Sequence, residues 1–293
     1  MQGLIVSSFG RNFIVEIANN QYNAVTRAKR TDFVVGDVVE VSLINTKQVQ
    51  IQDLVPRKNL IFRSDKNRSK IIASNISQIL IVIAIKPNFN INFLNSCLVF
   101  AESQNIPTSI IINKTDLLDS VEFITKIRKL YEQQLEYRLV TLSALNNCDE
   151  LKPLLQNNHT LLIGQSGVGK STITNQIIPN AFTPTNSITK SATSGKHTTT
   201  NATLYHINYN ATLVDCPGLH EFGLYHLDKS HIPSFFPECR ELVGRCRFRN
   251  CQHLNEPNCA IIETYNNGGI DERRFKFLTA LMCTTVNYLT TKS

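Results

Sequence analysis

The sequence predicts a multi-domain chain: an all-β start, a central α/β unit on a parallel sheet, and a mostly helical, cysteine-bearing end. Three observations predict it. Short runs alternating apolar and polar residues, with turn signals between them, fill residues 1–62. From about residue 70, apolar strands alternate with helical spacing, the pattern of a parallel sheet covered on both faces. Beyond residue 228 the chain turns rich in Pro, Cys and Arg before one last amphipathic helix. The expected units are residues 1–62, 70–228 and 229–293, in a chain of 293 residues that accommodates two or three compact bodies.

In the first unit Phe13, Val15 and Ile17 alternate with polar neighbours, and Val39, Val41 and Leu43 do the same. Turn signals sit at Ser8-Phe9-Gly10, Asn19-Asn20 and Val35-Gly36-Asp37. So many short strands in so few residues predict a five-stranded barrel of the OB type. Arg27, Lys29, Arg30, Arg57 and Lys58 punctuate it, either as a solvated surface or as the basic loops with which such barrels hold oligonucleotides. A net charge of +7 and a pI near 9.0 leave the same two readings for the whole chain, solubility or attraction to a polyanion. The start, Met1-Gln2-Gly3-Leu4-Ile5-Val6, lacks a basic segment followed by a long apolar stretch, so no signal peptide is expected. The longest apolar run, residues 79–85, is too short to cross a bilayer. Of the eight cysteines, half crowd between Cys239 and Cys259, which fits a cytosolic protein with a local metal site better than a disulfide framework.

In the central unit, residues 79–85 read as a strand buried on both faces. Residues 92–104 have helical spacing through Leu94, Cys97, Leu98 and Ala101, and residues 109–112 form another strand. A charged amphipathic helix over 121–136, a strand over 138–142, a helix over 149–156 and a strand over 160–163 follow. Residues 203–207 and 212–215 continue as strands. The final helix is expected over 271–289, with Asp271 as N-cap and Phe275, Leu278 and Met282 on one face.

The strand over 160–163 runs into Gly164-Gln165-Ser166-Gly167-Val168-Gly169-Lys170-Ser171, the pattern of a phosphate-binding loop that opens a helix. Glycines let backbone N–H groups curl round phosphates, and the helix N-terminus adds its dipole. Lys170 would reach the β- and γ-phosphates, and Ser171 would ligate Mg²⁺, with Thr172 completing the nucleotide-binding run. Asn113-Lys114-Thr115-Asp116, at the end of a strand, selects the base. A carboxylate such as Asp116 accepts from both N1–H and the N2 amine of guanine, whereas adenine would leave it unpaired. Asn113 would bridge loop and base, and the Lys114 stem would lie along the ring. Ser143-Ala144-Leu145 supplies a small-residue turn whose N–H can meet guanine O6. Asp215-Cys216-Pro217-Gly218 fits D-x-x-G, with Asp215 acting on Mg²⁺ through water and the Gly218 N–H contacting the γ-phosphate. In Gly195-Lys196-His197-Thr198-Thr199-Thr200 one threonine, Thr199 being the choice among the three, would close on Mg²⁺ when the γ-phosphate is present.

These motifs stand in rotated order, the base-reading motif ahead of the phosphate loop, so the central unit is expected to be a circularly permuted P-loop GTPase domain. The combination resembles the RsgA (YjeQ) family of circularly permuted, small-ribosomal-subunit-dependent GTPases. The resemblance spans nearly the whole chain, including Asp215 to Leu224 and the cysteine-rich end. It implies a cytoplasmic bacterial factor that acts in late maturation of the 30S subunit, contacts 16S rRNA and hydrolyses GTP to GDP when bound there. His220 stands where many members carry arginine, which leaves any role of that arginine open here.

Cys246, Cys251, His253 and Cys259 offer three thiolates and an imidazole, a set suited to one tetrahedral, structural Zn²⁺. The spacing is similar to the family's zinc motif, including Glu256-Pro257 before the last cysteine. Cys239 is read as a packing thiol, although it stands close enough in sequence to compete. Arg240, Arg245, Arg247 and Arg249 make the same segment a surface for rRNA phosphates or simply a solvated face. After D-x-x-G stands Leu219, which cannot orient water, so His197 is the candidate water-orienting catalytic residue. Competing classes are a permuted GTPase serving the large subunit and an RNA-binding protein with a vestigial nucleotide site. No membrane or DNA partner is expected, and the absence of a heptad seam favours a monomer.

Overall fold

The computed structural model describes residues 1–10, 12–26, 32–64, 69–178, 202–208, 210–216 and 224–284. Five strands open the chain: β1 (Gln2–Phe9), β2 (Asn12–Ile17), β3 (Asn20–Thr26), β4 (Val38–Asn45) and β5 (Gln48–Leu54). Alternation turns Ile5, Phe13, Val15, Ala24, Val39, Val41, Val49 and Ile51 into one interior. The strands pair in the order β1-β2-β3-β5-β4, and β4 returns to β1 through Leu4↔Val38, closing the barrel. Leu43 departs from its expected inward face and is 54% exposed. The pairing slips one residue between Leu43 and Asn45 at the β4–β5 turn, which releases the alternation there.

A hairpin follows, β6 (Leu60–Ser64) with β7 (Ser69–Ser74). It is clamped to the barrel by Asp37, whose fully buried carboxylate accepts from Arg57 Nε (2.7 Å), Arg57 Nη2 (2.7 Å), Ser74 Oγ (2.6 Å) and Val34 N (2.8 Å). Such a charge is tolerable in the interior only because its lone pairs are filled. Gly36 beside it has φ +92°, and a Cβ there would run into the Ser74 carbonyl.

The central unit contains β8 (Gln78–Ile83), α1 (Ile91–Ser103), β9 (Thr108–Ile112), α2 (Ser120–Ile127), a π-helix (Arg128–Gln134) and β10 (Arg138–Thr141). A 3₁₀ turn (Asp149–Leu151), α3 (Lys152–Leu155), β11 (His159–Gly164), α4 (Lys170–Ile177), β12 (Thr203–Asn208) and β13 (Ala211–Asp215) complete it. The sheet runs β10-β9-β8-β11-β13-β12, parallel except for β12, which returns antiparallel to β13. Every residue of β8 is buried, as a strand covered on both faces requires. The single helix expected over 121–136 is instead α2 passing into the π-helix, where Leu135 N bonds Leu130 O at 3.1 Å, five residues back. The helix expected over 149–156 splits at Pro153, whose missing N–H confines it to the first turn of α3.

Ser7 of β1 pairs with Thr203 of β12, so the barrel extends the central sheet into one of eleven strands. A 3₁₀ segment (Lys229–Phe235), α5 (Pro237–Arg240), α6 (Ala260–Asn266) and α7 (Glu272–Thr284) form the C-terminal module. Asp271 caps α7 through Arg273 N at 2.9 Å. Leu278 and Met282 are buried, but Phe275 is only partly so and stacks on Tyr265 at 4.1 Å. The inward face includes Arg274, only 1% exposed, and Phe277. Residues 285–289 of the expected helix lie outside the described residues. One apolar core joins Ile61 and Ala73 of the hairpin, Phe100 of α1, Tyr131 of the π-helix, and Phe236 and Leu278 of the module. Among the described residues no helix is long and apolar enough to cross a membrane.

Candidate nucleotide and metal sites

Parallel strands bring their C-terminal ends to one edge, where the loops that leave β8, β9, β10 and β11 meet and where β13 ends at Asp215. β11 delivers Gly164, where a Cβ would strike the Val82 carbonyl of the neighbouring strand. Gly169, at φ +100°, caps α4 and lies against the Asn113 side-chain amide, again leaving no room for a Cβ. Lys170 donates from Nζ to Gly164 O (2.6 Å) and Gln165 O (2.9 Å), which folds the ammonium into the loop. Burial lowers its pKa, and Asp215 on β13 pulls it back up. The converse holds for Asp215: burial raises its pKa and Lys170 opposes the rise. Asp215 Oδ1 is buried without a hydrogen-bond partner among the described residues, the condition of a carboxylate suited to a cation. Ser171 and Thr172 stand on the first turn of α4.

The loop over Asn113–Asp116 is tied to the phosphate loop by Asn113 and Lys114, and to the segment after β10 by Asn113, Thr115 and Asp116. Asn113 is 3% exposed; its Nδ2 donates to Val168 O (2.9 Å) and its Oδ1 accepts from Ala144 N (2.9 Å). Lys114, at φ +64°, sends Nζ to Gly167 O (2.6 Å) and Lys86 O (3.0 Å). Thr115 N bonds Leu142 O at 3.3 Å, at the end of β10. Asp116 is exposed, and its Oδ1 accepts from the Ser143 hydroxyl at 2.6 Å. That bond fixes the carboxylate plane and leaves Oδ2 and the outer lone pairs for a ligand carrying adjacent N–H donors.

The structure thus brings Asn113, Lys114, Asp116, Ser143, Ala144, Val168 and the phosphate loop together, with Asp215 on the next strand. His197, Thr199 and Gly218 lie outside the described residues, as do Leu219 and His220. One participant escaped the sequence reading. The loop after β8 supplies the Lys86 carbonyl and the Asn90 N–H, which donates to Gln165 Oε1 at 3.1 Å. Its only local sign was Asn90, whose side chain caps α1 by accepting from Asn92 N and Phe93 N. An open cleft of about 640 Å³ lies beside the phosphate loop, lined by Pro87, Asn88, Gln165 and Ser166.

In the C-terminal module the ligand atoms of Cys246, Cys251, His253 and Cys259 all lie within 4.8 Å of one another. Cys246 Sγ is 3.8 Å from Cys259 Sγ, and His253 Nδ1 is 3.5 Å from Cys246 Sγ and 3.3 Å from Cys259 Sγ. Bond lengths of about 2.3 Å to sulfur and 2.0–2.1 Å to nitrogen put tetrahedral edges at roughly 3.8 and 3.5 Å, close to the three separations among Cys246, His253 and Cys259, so the donor set fits zinc. Local geometry holds the loop in place. Glu256 accepts from the backbone N–H of Gln252 (2.8 Å), Leu254 (2.9 Å) and Asn255 (3.2 Å), while His253 (φ 60°) and Asn258 (φ 57°) turn the chain. Although burial works the other way, those N–H bonds draw the Glu256 pKa down to about 2. Burial pushes the Cys251 thiol up to about 12 and also raises Cys259, the setting in which a metal is needed to hold thiolates. Cys239 is fully buried in α5, outside the cluster, and burial pushes its thiol up to about 12. Arg245, Arg247 and Arg249 are exposed, with Arg247 lying 5.6 Å from the Phe248 ring centroid. Arg240 is engaged differently, its Nη2 bonding Glu102 of α1 at 2.8 Å.

Comparison with known proteins covers most of the chain. A family model described as RsgA GTPase matches residues 54–225. The Small ribosomal subunit biogenesis GTPase RsgA of Neisseria gonorrhoeae is 42% identical over 275 residues, 94% of this chain and 89% of that protein. The crystal structure of YjeQ from Thermotoga maritima superposes with a TM-score of 0.74 at 26% identity, covering 96% of this chain and 97% of that one. YloQ, described as a circularly permuted GTPase, shares the fold with a TM-score of 0.69 at 23% identity, covering 96% and 93%.

Proposed function

The chain belongs to the RsgA GTPase family of GTP hydrolases, and from that premise we propose that it binds the 30S ribosomal subunit, assists its late maturation, and hydrolyses GTP to GDP and phosphate when the subunit stimulates it, then dissociates. The observation that carries the nucleotide side is the bonded unit of Asn113, Lys114, Asp116 and Ser143 with the phosphate loop. Asp116 reads guanine, Lys170 and the loop N–H groups hold the phosphates, and Ser171 and Asp215 would hold the Mg²⁺ that travels with GTP. The orphaned, buried Asp215 oxygen supports that placement. When bound, the ion would neutralise phosphate charge. Thr199 and the Gly218 N–H are assigned to the γ-phosphate side, and His197 to the water.

The Cys₃His cluster supports one structural Zn²⁺, because four protein donors leave no open position for chemistry. With zinc in place, Arg245, Arg247 and Arg249 form a basic face towards 16S rRNA, and the barrel offers a second RNA-binding face. On this reading the protein works as a cytoplasmic monomer of three units, residues 1–62, 70–228 and 229–293.

GTP turnover with purified 30S, 50S or no subunit tests the proposal. Selective stimulation by 30S is expected; stimulation only by 50S would move the protein to the large subunit, and no turnover would leave a nucleotide-binding scaffold. His197→Ala should lose about 10²–10⁴-fold of the stimulated rate while keeping GDP affinity, and unaltered stimulation would remove His197 from the mechanism.

A further inference from the structure

The two stretches assigned to sensing the γ-phosphate return to the same body of the protein. After residues 195–200 the chain enters β12 at Thr203, which pairs with Ser7 of β1. Three residues on, His206 Nε2 lies 2.9 Å from Glu16 Oε1 on β2, a carboxylate only 14% exposed. Leu204 shares a core with Val6 of β1. After the D-x-x-G motif the described chain resumes at Leu224, and two residues later the His226 ring lies edge-on to Phe62 of β6, centroids 4.3 Å apart.

β6 is not independent of the barrel. Asp37, Arg57 and Ser74 lock the β6–β7 hairpin to it, Val35 bridges Ala73, and Asn75 Nδ2 donates to Gly36 O at 2.8 Å. The barrel and hairpin therefore move together, and both switch exits land on them. We propose that this body is the element through which a partner held on the barrel sets the two switch stretches, with Glu16 and Phe62 as positioning residues for GTP hydrolysis. The route is distinct from the covalent one that leads from the D-x-x-G segment into the C-terminal module. It acts because a paired strand cannot slide without flipping its faces, and because packed rings occupy discrete arrangements.

The inference rests on the proposed stimulation by the small subunit, so the experiment separates the two. Hydrogen exchange on the full-length protein is compared with GDP and with a non-hydrolysable GTP analogue bound. Exchange at residues 4–8 and 60–62 should slow by about tenfold with the analogue, and the Glu16→Ala, Phe62→Ala double variant should lose that difference. Barrel exchange that is equal in both nucleotide states of the unaltered protein overturns the inference. In turnover assays with 30S, Glu16→Ala should lower the stimulated kcat by about tenfold at unchanged KM, with Glu16→Gln restoring it; equal stimulation of Glu16→Ala and the unaltered protein also overturns it. Glu16→Ala alone, outside the apolar core, keeps the test open should Phe62→Ala loosen the fold. If 30S fails to stimulate the unaltered protein, the functional proposal falls, and the exchange comparison alone decides the coupling.

Discussion

A carboxylate selects guanine because it accepts two adjacent N–H donors at once, and Asp116, proposed for that task, accepts from Ser143 at 2.6 Å. Asp116→Asn replaces an acceptor with a donor opposite the N2 amine. GTP affinity should fall by about 100-fold or more, two charge-assisted bonds being worth about 1.5–3 kcal/mol each. Xanthosine triphosphate, which presents an acceptor at that position, should bind the variant better than GTP does. Paired titrations with both nucleotides check this, and an unchanged GTP affinity would remove Asp116 from the base site. His226 offers a pH test. Burial lowers its pKa from 6.5 to about 4. Between those values the unfolded chain takes up a proton that the folded one refuses, so stability rises with pH across the window and is lost as pH falls from about 6.5 towards 4. The ring is partly exposed, so the loss should be only about 1 kcal/mol after solvent screening. Urea denaturation at pH 4.5 and 7 should show a smaller difference for His226→Leu than for the unaltered protein.

At the scale of elements, the C-terminal module sits on α1 through a buried polar knot. Arg274 bonds Glu238 at 2.7 Å and Asn95 at 3.1 Å, lies 4.5 Å from the Phe236 ring centroid, and shares Asn95 Oδ1 with the Tyr131 hydroxyl at 2.8 Å. Glu238→Ala strands a buried guanidinium and should cost about 3–5 kcal/mol, whereas Glu238→Leu with Arg274→Met should cost much less. Chemical denaturation of both variants measures the difference. Cys251→Ser should reduce bound zinc well below one equivalent and loosen residues 246–259, read by metal analysis and by exchange in that loop. These elements also show what the sequence could reveal. The phosphate loop and Asn113–Asp116 were legible because their chemistry needs fixed residues at fixed spacing. Spacing likewise marked the four residues proposed as metal ligands, gathered within 4.8 Å. The face of α7 was read only in part: Phe275, Leu278 and Met282 all pack on the core, but apolar periodicity gives no reason to turn an arginine inward beside them. The reasons lie 36 and 179 residues away, at Glu238 and Asn95. The Asp37 clamp was hidden for the same reason, its donors coming from 20 and 37 residues along the chain. Nor does periodicity separate the i+5 bonds of a π-helix from the i+4 bonds of α2.

For the whole molecule, a shared core and a continuous sheet make the three units one body. Removing residues 1–54 would strip Val35 and Asp37 from the hairpin and Val6 and Ser7 from β12. The remainder should unfold at a lower urea concentration than the intact protein, and should do so with nucleotide bound as well as without it. An unchanged midpoint would mean that the barrel is an independent appendage.

The permuted strand order also bears on how the protein is made. The barrel closes on contacts within its own first 54 residues, and β8, β9 and β10 can follow as a parallel trio. The other edge of β8 waits for β11, because Thr160 joins Gln78 from 82 residues downstream. At about 5–20 residues per second, the nascent chain carries a base-reading loop for several seconds before a phosphate loop exists to be tied to it. The unpaired edge of β8, a strand apolar in all but Gln78, is exposed to wrong partners for that interval. Nucleotide can be retained only once β13 has emerged, by which time the barrel is complete, so the order of motifs is also the order in which the nascent protein gains its properties.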